Sequence, residues 1–216
     1  MNPEKERALI AASCVAIILL SVRVIHTGSF NYVFLYWNLF LAWVPYVFST
    51  WLARVPARYK WTQRFLFMGW LLFLPNAPYL VTDFIHLQAR WPVPLMFDLC
   101  MLFLFALTGL VLGLLSVQQA EQWRLNQRPG KSLSGMRLGV FLLCGFGIYL
   151  GRVERFNSWE VFTDPAALAA EILPRLLNPF AHAETWGITL LFAGLLWVTY
   201  AFFKTVPVPF NPQNNK

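Results

Sequence analysis

Four side chains with acid, base or hydroxyl chemistry recur at a helical interval in one short run. Tyr79, Thr82, Asp83 and His86 stand at i, i+3, i+4 and i+7. On an α-helix that spacing stacks all four on one face. Asp83 or His86 there is the expected general acid or base. The run follows Leu74-Pro75-Asn76-Ala77-Pro78. Two prolines three residues apart break or kink a helix and free backbone carbonyls, which the Asn76 amide can help to satisfy. A second cluster runs Gly151-Arg152-Val153-Glu154-Arg155-Phe156-Asn157-Ser158-Trp159-Glu160. Two arginines there could hold a phosphate through paired hydrogen bonds. The expected ligand-binding set is Asn76, Tyr79, Thr82, Asp98, Arg152, Arg155, Asn157 and Trp159, with Asp83 and His86 as catalytic candidates. Arg152 is expected to pair with Asp83 or Asp98, and Arg155, one turn on, to extend the same face. Arg23 and Asn38 lie near the same end of their segments. The same charges would also suit a buried ion-pair network that sets helix register, and His86 would also suit a hydrogen-bonded interfacial position.

The elements that must position these residues are apolar. Of the 216 residues 58% are hydrophobic and only 12% charged, and the mean hydropathy is +0.53. A soluble domain is about a quarter charged. The sequence predicts an all-α, polytopic membrane helical bundle forming a single integral membrane domain. About six spans are expected, near 8–25, 31–52, 65–82, 93–117, 136–152 and 185–203, each close to the roughly 20 apolar residues that crossing requires. Strands of a membrane barrel would instead alternate in polarity over about ten residues. Residues 8–25 are expected to be an uncleaved first span, since no convincing small-residue cleavage site precedes Arg23. Residues 138–151, between Arg137 and Arg152, rise only roughly 21 Å at about 1.5 Å each. Arg152 should therefore snorkel or sit in the outer part of the membrane, where a buried head needs an anion.

Basic residues set the orientation. Lys5 and Arg7, then Arg54, Arg58, Lys60 and Arg64, then Arg124, Arg128, Lys131 and Arg137, and finally Lys204 and Lys216 share one side. Arg23, Arg90, Arg152, Arg155 and Arg175 remain for the other. Both termini are thus expected in the cytoplasm, with both polar clusters on the outer face. This bias also accounts for the net charge of +7, so no nucleic-acid partner is expected. The inner half of every span reads as almost wholly apolar. The longest outer connection is 153–184. In it Asp164-Pro165 reads as a helix start, Ala166 to Leu173 as a short helix on the outer membrane surface, and Pro174 and Pro179 as residues that end or redirect it. Spacing-four glycines, Gly109 with Gly113, Gly135 with Gly139 and Gly147 with Gly151, suit close helix packing.

The three cysteines are isolated in apolar runs, with no C-x-x-C. A metal on Asp83 and His86 would need Asp98, Glu160 or His182 as well, and no dense ligand motif supports one. No metal and no cofactor is expected.

The runs LPNAPYLVTDFIHL (Leu74 to Leu87) and GRVERFNSWEVF (Gly151 to Phe162) resemble the two signature segments of a family of multi-pass membrane proteins, domain of unknown function 1361. The resemblance covers most of the chain and implies a bacterial cytoplasmic membrane protein. It implies no activity, substrate or catalytic residue. Three functions fit the residues. One is binding or processing of a lipid or lipid-linked anionic substrate at the outer face. A second is a small transporter subunit, suggested by the broken third span. A third is a non-catalytic assembly or interaction subunit, with a protein partner or a second copy docked on 153–184.

Overall fold

The computed structural model describes residues 3–127, 129–130 and 132–205. Arg128, Lys131 and Lys216, which enter the charge reading above, lie outside the described residues. The described chain is helical: α1 (Pro3–Thr27), α2 (Phe34–Arg54), α3 (Lys60–Phe73), α4 (Asn76–Tyr79) continued by a 3-10 segment (Leu80–His86), α5 (Leu95–Gln127), α6 (Ser134–Arg152), α7 (Glu160–Thr163), α8 (Pro165–Leu177) and α9 (Ala183–Thr205). Among them five stretches are long and apolar enough to cross a membrane: α1, Lys60–His86, α5, α6 and α9. The chain is an integral membrane protein. The 21-residue α2 is apolar too, but Asn38, Pro45 and several Trp and Tyr residues hold down its hydropathy.

The 33-residue α5 carries the most buried residues and forms the axis of the bundle. One apolar core joins it to α1, α2 and the segment around Ala77 and Leu80. A second joins it to α3, α6 and α9. The outer surfaces of α1, α2 and α9 expose Ile18, Val22, Phe40, Trp51, Leu191, Val198 and Phe202. In water such a belt would be unstable; in hydrocarbon it is the required surface.

The third span is not one continuous helix. Pro75 and Pro78 lack backbone N–H groups, so the α-helical ladder stops after Phe73 and resumes as one α turn, then a 3-10 turn. Glycines on two neighbours hold this irregular segment. At Gly109 of α5 a methyl group would fall 2.5 Å from the Ala77 carbonyl oxygen and 2.6 Å from Leu80 Cδ1. Gly147 of α6 abuts Pro75, and Gly151 abuts the Tyr79 ring. By contrast, nothing lies within 4 Å of a methyl group at Gly135 or Gly139. Gly145 brings α6 against the backbone of Thr189 in α9.

Two ends of the bundle can be distinguished. The site end gathers the C-termini of α1, the 3-10 segment and α6 with the N-termini of α2, α5 and α9. The opposite end is less apolar than its sequence suggests. Ser49 donates to Gln119 Oε1 at 2.7 Å, and the Trp70 indole donates to Ser116 at 3.2 Å. Buried Glu121 accepts from Arg137 Nε at 2.7 Å, the Tyr200 hydroxyl at 2.8 Å and Lys204 Nζ at 2.6 Å. These three bonds clamp α5, α6 and α9 together. Glu121 reads in the sequence only as a stray acid among bases.

The glycine contacts give a direct test. Gly109→Ala is expected to lower stability by about 1–3 kcal/mol through overpacking. Gly139→Ala, facing open space, is expected to be neutral or to stabilise by up to about 1 kcal/mol through helix propensity. Thermal unfolding in detergent measures both.

Candidate functional site

Arg152, the last residue of α6, turns into the bundle. Its Nη2 donates to Asp83 Oδ1 at 2.5 Å. Nε donates to the Thr82 hydroxyl at 2.8 Å, with Nη2 also on that oxygen. Nη1 lies 3.1 Å from His86 Nε2; a guanidinium has only donors, so the imidazole accepts. The guanidinium also lies over the Tyr79 ring, 4.2 Å from its centroid. All four residues of the i, i+3, i+4, i+7 pattern therefore meet Arg152. They do so on a different helix from the expected one. In a 3-10 turn residues three apart eclipse, so Tyr79 lies above Thr82 and Asp83 above His86, and Arg152 spans both columns.

Asp83 is buried, and its second oxygen accepts from the Asn38 amide at 3.0 Å. The carboxylate thus has two donors, the satisfaction a buried charge requires. The expected pairing resolves in favour of Asp83. Asp98 belongs to a separate pair: Arg23 Nε and Nη2 donate to its two oxygens at 2.6 and 3.0 Å, with both side chains buried. The Arg23 guanidinium stacks on Tyr32, 4.4 Å from the ring centroid. Tyr32 in turn donates to the His86 carbonyl at 2.9 Å. The two ion pairs are therefore neighbours bridged by Tyr32, and Asp98 holds α1 to α5.

Beside this cluster lies a cavity of about 150 Å3. Its polar lining is Asn38, Asn76, Asn157 and Ser158; Trp37, Tyr79 and Phe156 add aromatic surface, and four leucines with Pro75, Gly147, Gly151 and Val161 close the rest. The Asn76 amide donates to the Phe73 carbonyl and to Ser158 Oγ, each at 2.9 Å. It thus fills the role expected beside the proline break and ties that break to the connection after α6. Trp159 meets Trp37 edge to face at 5.9 Å. Asn157 is exposed, its side-chain and backbone N–H groups turned to Glu160. Of the expected site residues Asn76, Tyr79 and Asn157 line the cavity. Thr82, Asp83, His86 and Arg152 form its charged neighbour. Trp37 and Ser158 are lining residues that the sequence reading did not select. The Trp37–Asn38 pair, one amide beside an aromatic on an otherwise apolar span, was the available signal.

Arg155 corrects the sequence reading. The helix ends at Arg152, and Arg155 has the left-handed φ of 63°. It is exposed and does not continue the Arg152 face. Arg175 of α8 takes the partner-rich role instead. It donates to Glu154 Oε1 at 2.6 Å and pairs with Glu171 at 2.5 Å. The Trp186 indole donates to its carbonyl at 3.1 Å. Asp164 caps α8, accepting from Ala167 N–H at 3.1 Å, with Pro165 in the first turn. Pro174 does not end the helix, which runs on to Leu177. Among the described residues no three metal-binding side chains lie together, and Asp83 and His86 are both turned to Arg152.

The Tyr149 hydroxyl bond and the Arg175 charge hold the Glu154 carboxyl below its ordinary range, against partial burial. A depressed carboxyl adds stability that is present above its unfolded value, about 4.3, and lost as pH falls through the folded value. Hydrogen exchange in residues 165–177, corrected for intrinsic rate, is expected to show protection at neutral pH that declines only below that value. Glu154→Gln should lower the protection already at neutral pH.

A family model described as a protein of unknown function (DUF1361) matches residues 37–199. The match takes in the proline-broken segment, Arg152 and α8. No curated protein and no solved structure matches the chain.

Proposed function

This chain belongs to the DUF1361 family of proteins of unknown function, and we propose that its cavity binds the head group of a lipid or lipid-linked anionic molecule at the outer face of the membrane. The carrying observation is the cavity itself, which sets three amides and a hydroxyl against aromatic and leucine walls. That mixture suits a ligand with a polar head and an apolar body. Its volume suits a group about the size of a six-membered ring, so the rest of the ligand lies outside it. Arg152 is fully engaged and serves the site as its scaffold. Arg155, exposed and directly before the lining residues Phe156 to Ser158, offers a cation to an anionic group. Asp83 and His86 position Arg152 in this reading, and no chemical step is assigned to them.

The outer placement rests on the basic residues. Lys5, Arg54, Arg58, Lys60, Arg64, Arg124, Arg137 and Lys204 gather at the end opposite the site, which the positive-inside bias assigns to the cytoplasm. The α2 helix joins the site end of α1 to the opposite end of α3. That path supports a sixth crossing, and in this reading α1 begins and α9 ends on the cytoplasmic side of a bacterial cytoplasmic membrane.

Native mass spectrometry of the protein released from its own membrane tests the binding site. Wild type is expected to retain a lipid adduct. Val161→Trp, on an exposed residue that lines the cavity, should lose the adduct while staying folded. Arg155→Ala should lose anionic adducts in preference to neutral ones. Wild type without an adduct, or an adduct equal in all three proteins, would remove the reading.

A further inference from the structure

The polarity of α8 is inverted for a helix facing water. Its sequence, PAALAAEILPRLL, holds two charged residues, Glu171 and Arg175. With Leu168 and Ile172 these fall at i, i+3, i+4 and i+7, one face of the helix, and these four are its only residues that are not exposed. Both charges thus point toward the protein. Arg175 is buried against Glu154, Glu171 and the Tyr149 hydroxyl. The opposite face presents Ala166, Ala169, Ala170, Leu173, Leu176 and Leu177, all exposed. Phe162 before the helix and Phe180 after it are 74% and 94% exposed. A water-facing surface helix has the reverse arrangement, with charges outward and an apolar stripe inward.

We propose that α8 is immersed in the acyl region of the bilayer leaflet at the site end of the bundle. Three observations choose lipid as the occupant of its outward face. That face carries no charge and no hydrogen-bonding side chain. Moreover, α8 connects two stretches that are themselves long and apolar enough to cross a membrane, α6 and α9, so its exposed leucines continue their lipid-facing belt. Finally, the Arg175 ion pairs and the Trp186 bond to its carbonyl tie the polar side to the bundle, so the helix has a fixed depth. Interfacial helices elsewhere bury an apolar face and show a polar face to water; here the protein takes the place of the water. Leu168 lines the cavity, so α8 forms a wall between the cavity and lipid. The immersion itself does not depend on the cavity's ligand.

Spin-label accessibility tests this directly. A nitroxide is placed at Leu173→Cys or Leu177→Cys, with the exposed Cys14 and Cys100 replaced by alanine. The protein is reconstituted in vesicles of phosphatidylethanolamine and phosphatidylglycerol. Both labels are expected to be relaxed strongly by oxygen, which concentrates in acyl chains, and weakly by a water-soluble nickel chelate. Strong relaxation by the chelate would overturn the proposal by placing the face in water. Protection from both reagents would overturn it in favour of a second copy or a protein partner. Both positions are exposed and make no polar contact, and should one label disturb folding the other carries the test alone.

Discussion

One guanidinium holds the site end together. The segment from Leu74 to His86 cannot hold itself, because two prolines remove N–H donors and the 3-10 turn that follows has poorer hydrogen-bond geometry than an α-helix. Arg152 supplies what the backbone lacks. It gathers Tyr79, Thr82, Asp83 and His86 into one cluster. Asn38 then closes the Asp83 carboxylate, so α2, the broken segment and α6 share one polar centre. The cavity lies between these three elements beside that centre, and along its wall Gly147 and Gly151 of α6 abut Pro75 and Tyr79 of the broken segment.

Charges in this molecule work in pairs that join elements. Asp98 and Arg23 tie α5 to α1, Asp83 and Arg152 tie the broken segment to α6, and Arg175 ties α8 to Glu154 after α6. Glu121 ties α5 to both α6 and α9 at the far end. In a bilayer, apolar contact alone does not distinguish protein from lipid, since lipid tails are as apolar as leucine. Small residues and satisfied polar groups must therefore specify the packing. The glycines against Ala77, Pro75 and Tyr79 do the former, and the four charged clusters do the latter.

Much of this was legible in the sequence. Long apolar runs announce helices, the Pro75–Pro78 pair announces the break, and a short span ending in Arg152 announces a charge in need of an acid. The choice of Asp83 over Asp98 was not legible, because it depends on Arg23 reaching Asp98 from 75 positions away. The 3-10 turn was hidden because i, i+3, i+4, i+7 spacing fits an α-helix face equally well. Arg155 was misplaced because nothing in Gly151 to Asn157 marks where α6 stops; the left-handed residue is an arginine rather than a glycine. Arg137 and Lys204 read in the sequence as bases that set topology, and nothing in their spacing marks them as partners of Glu121. Arg175 carried one readable signal, a lone cation on an Ala- and Leu-rich helix.

The most direct test of this account is a double-mutant cycle on the central pair, read as unfolding in detergent for Arg152→Leu, Asp83→Leu and the combined variant. If Arg152 and Asp83 satisfy one another in the buried centre, each single change strands a charge and costs about 3–5 kcal/mol. The double change then recovers most of that loss. Additive losses, with the double variant weaker than either single one, would show that the two residues act independently and would contradict the account.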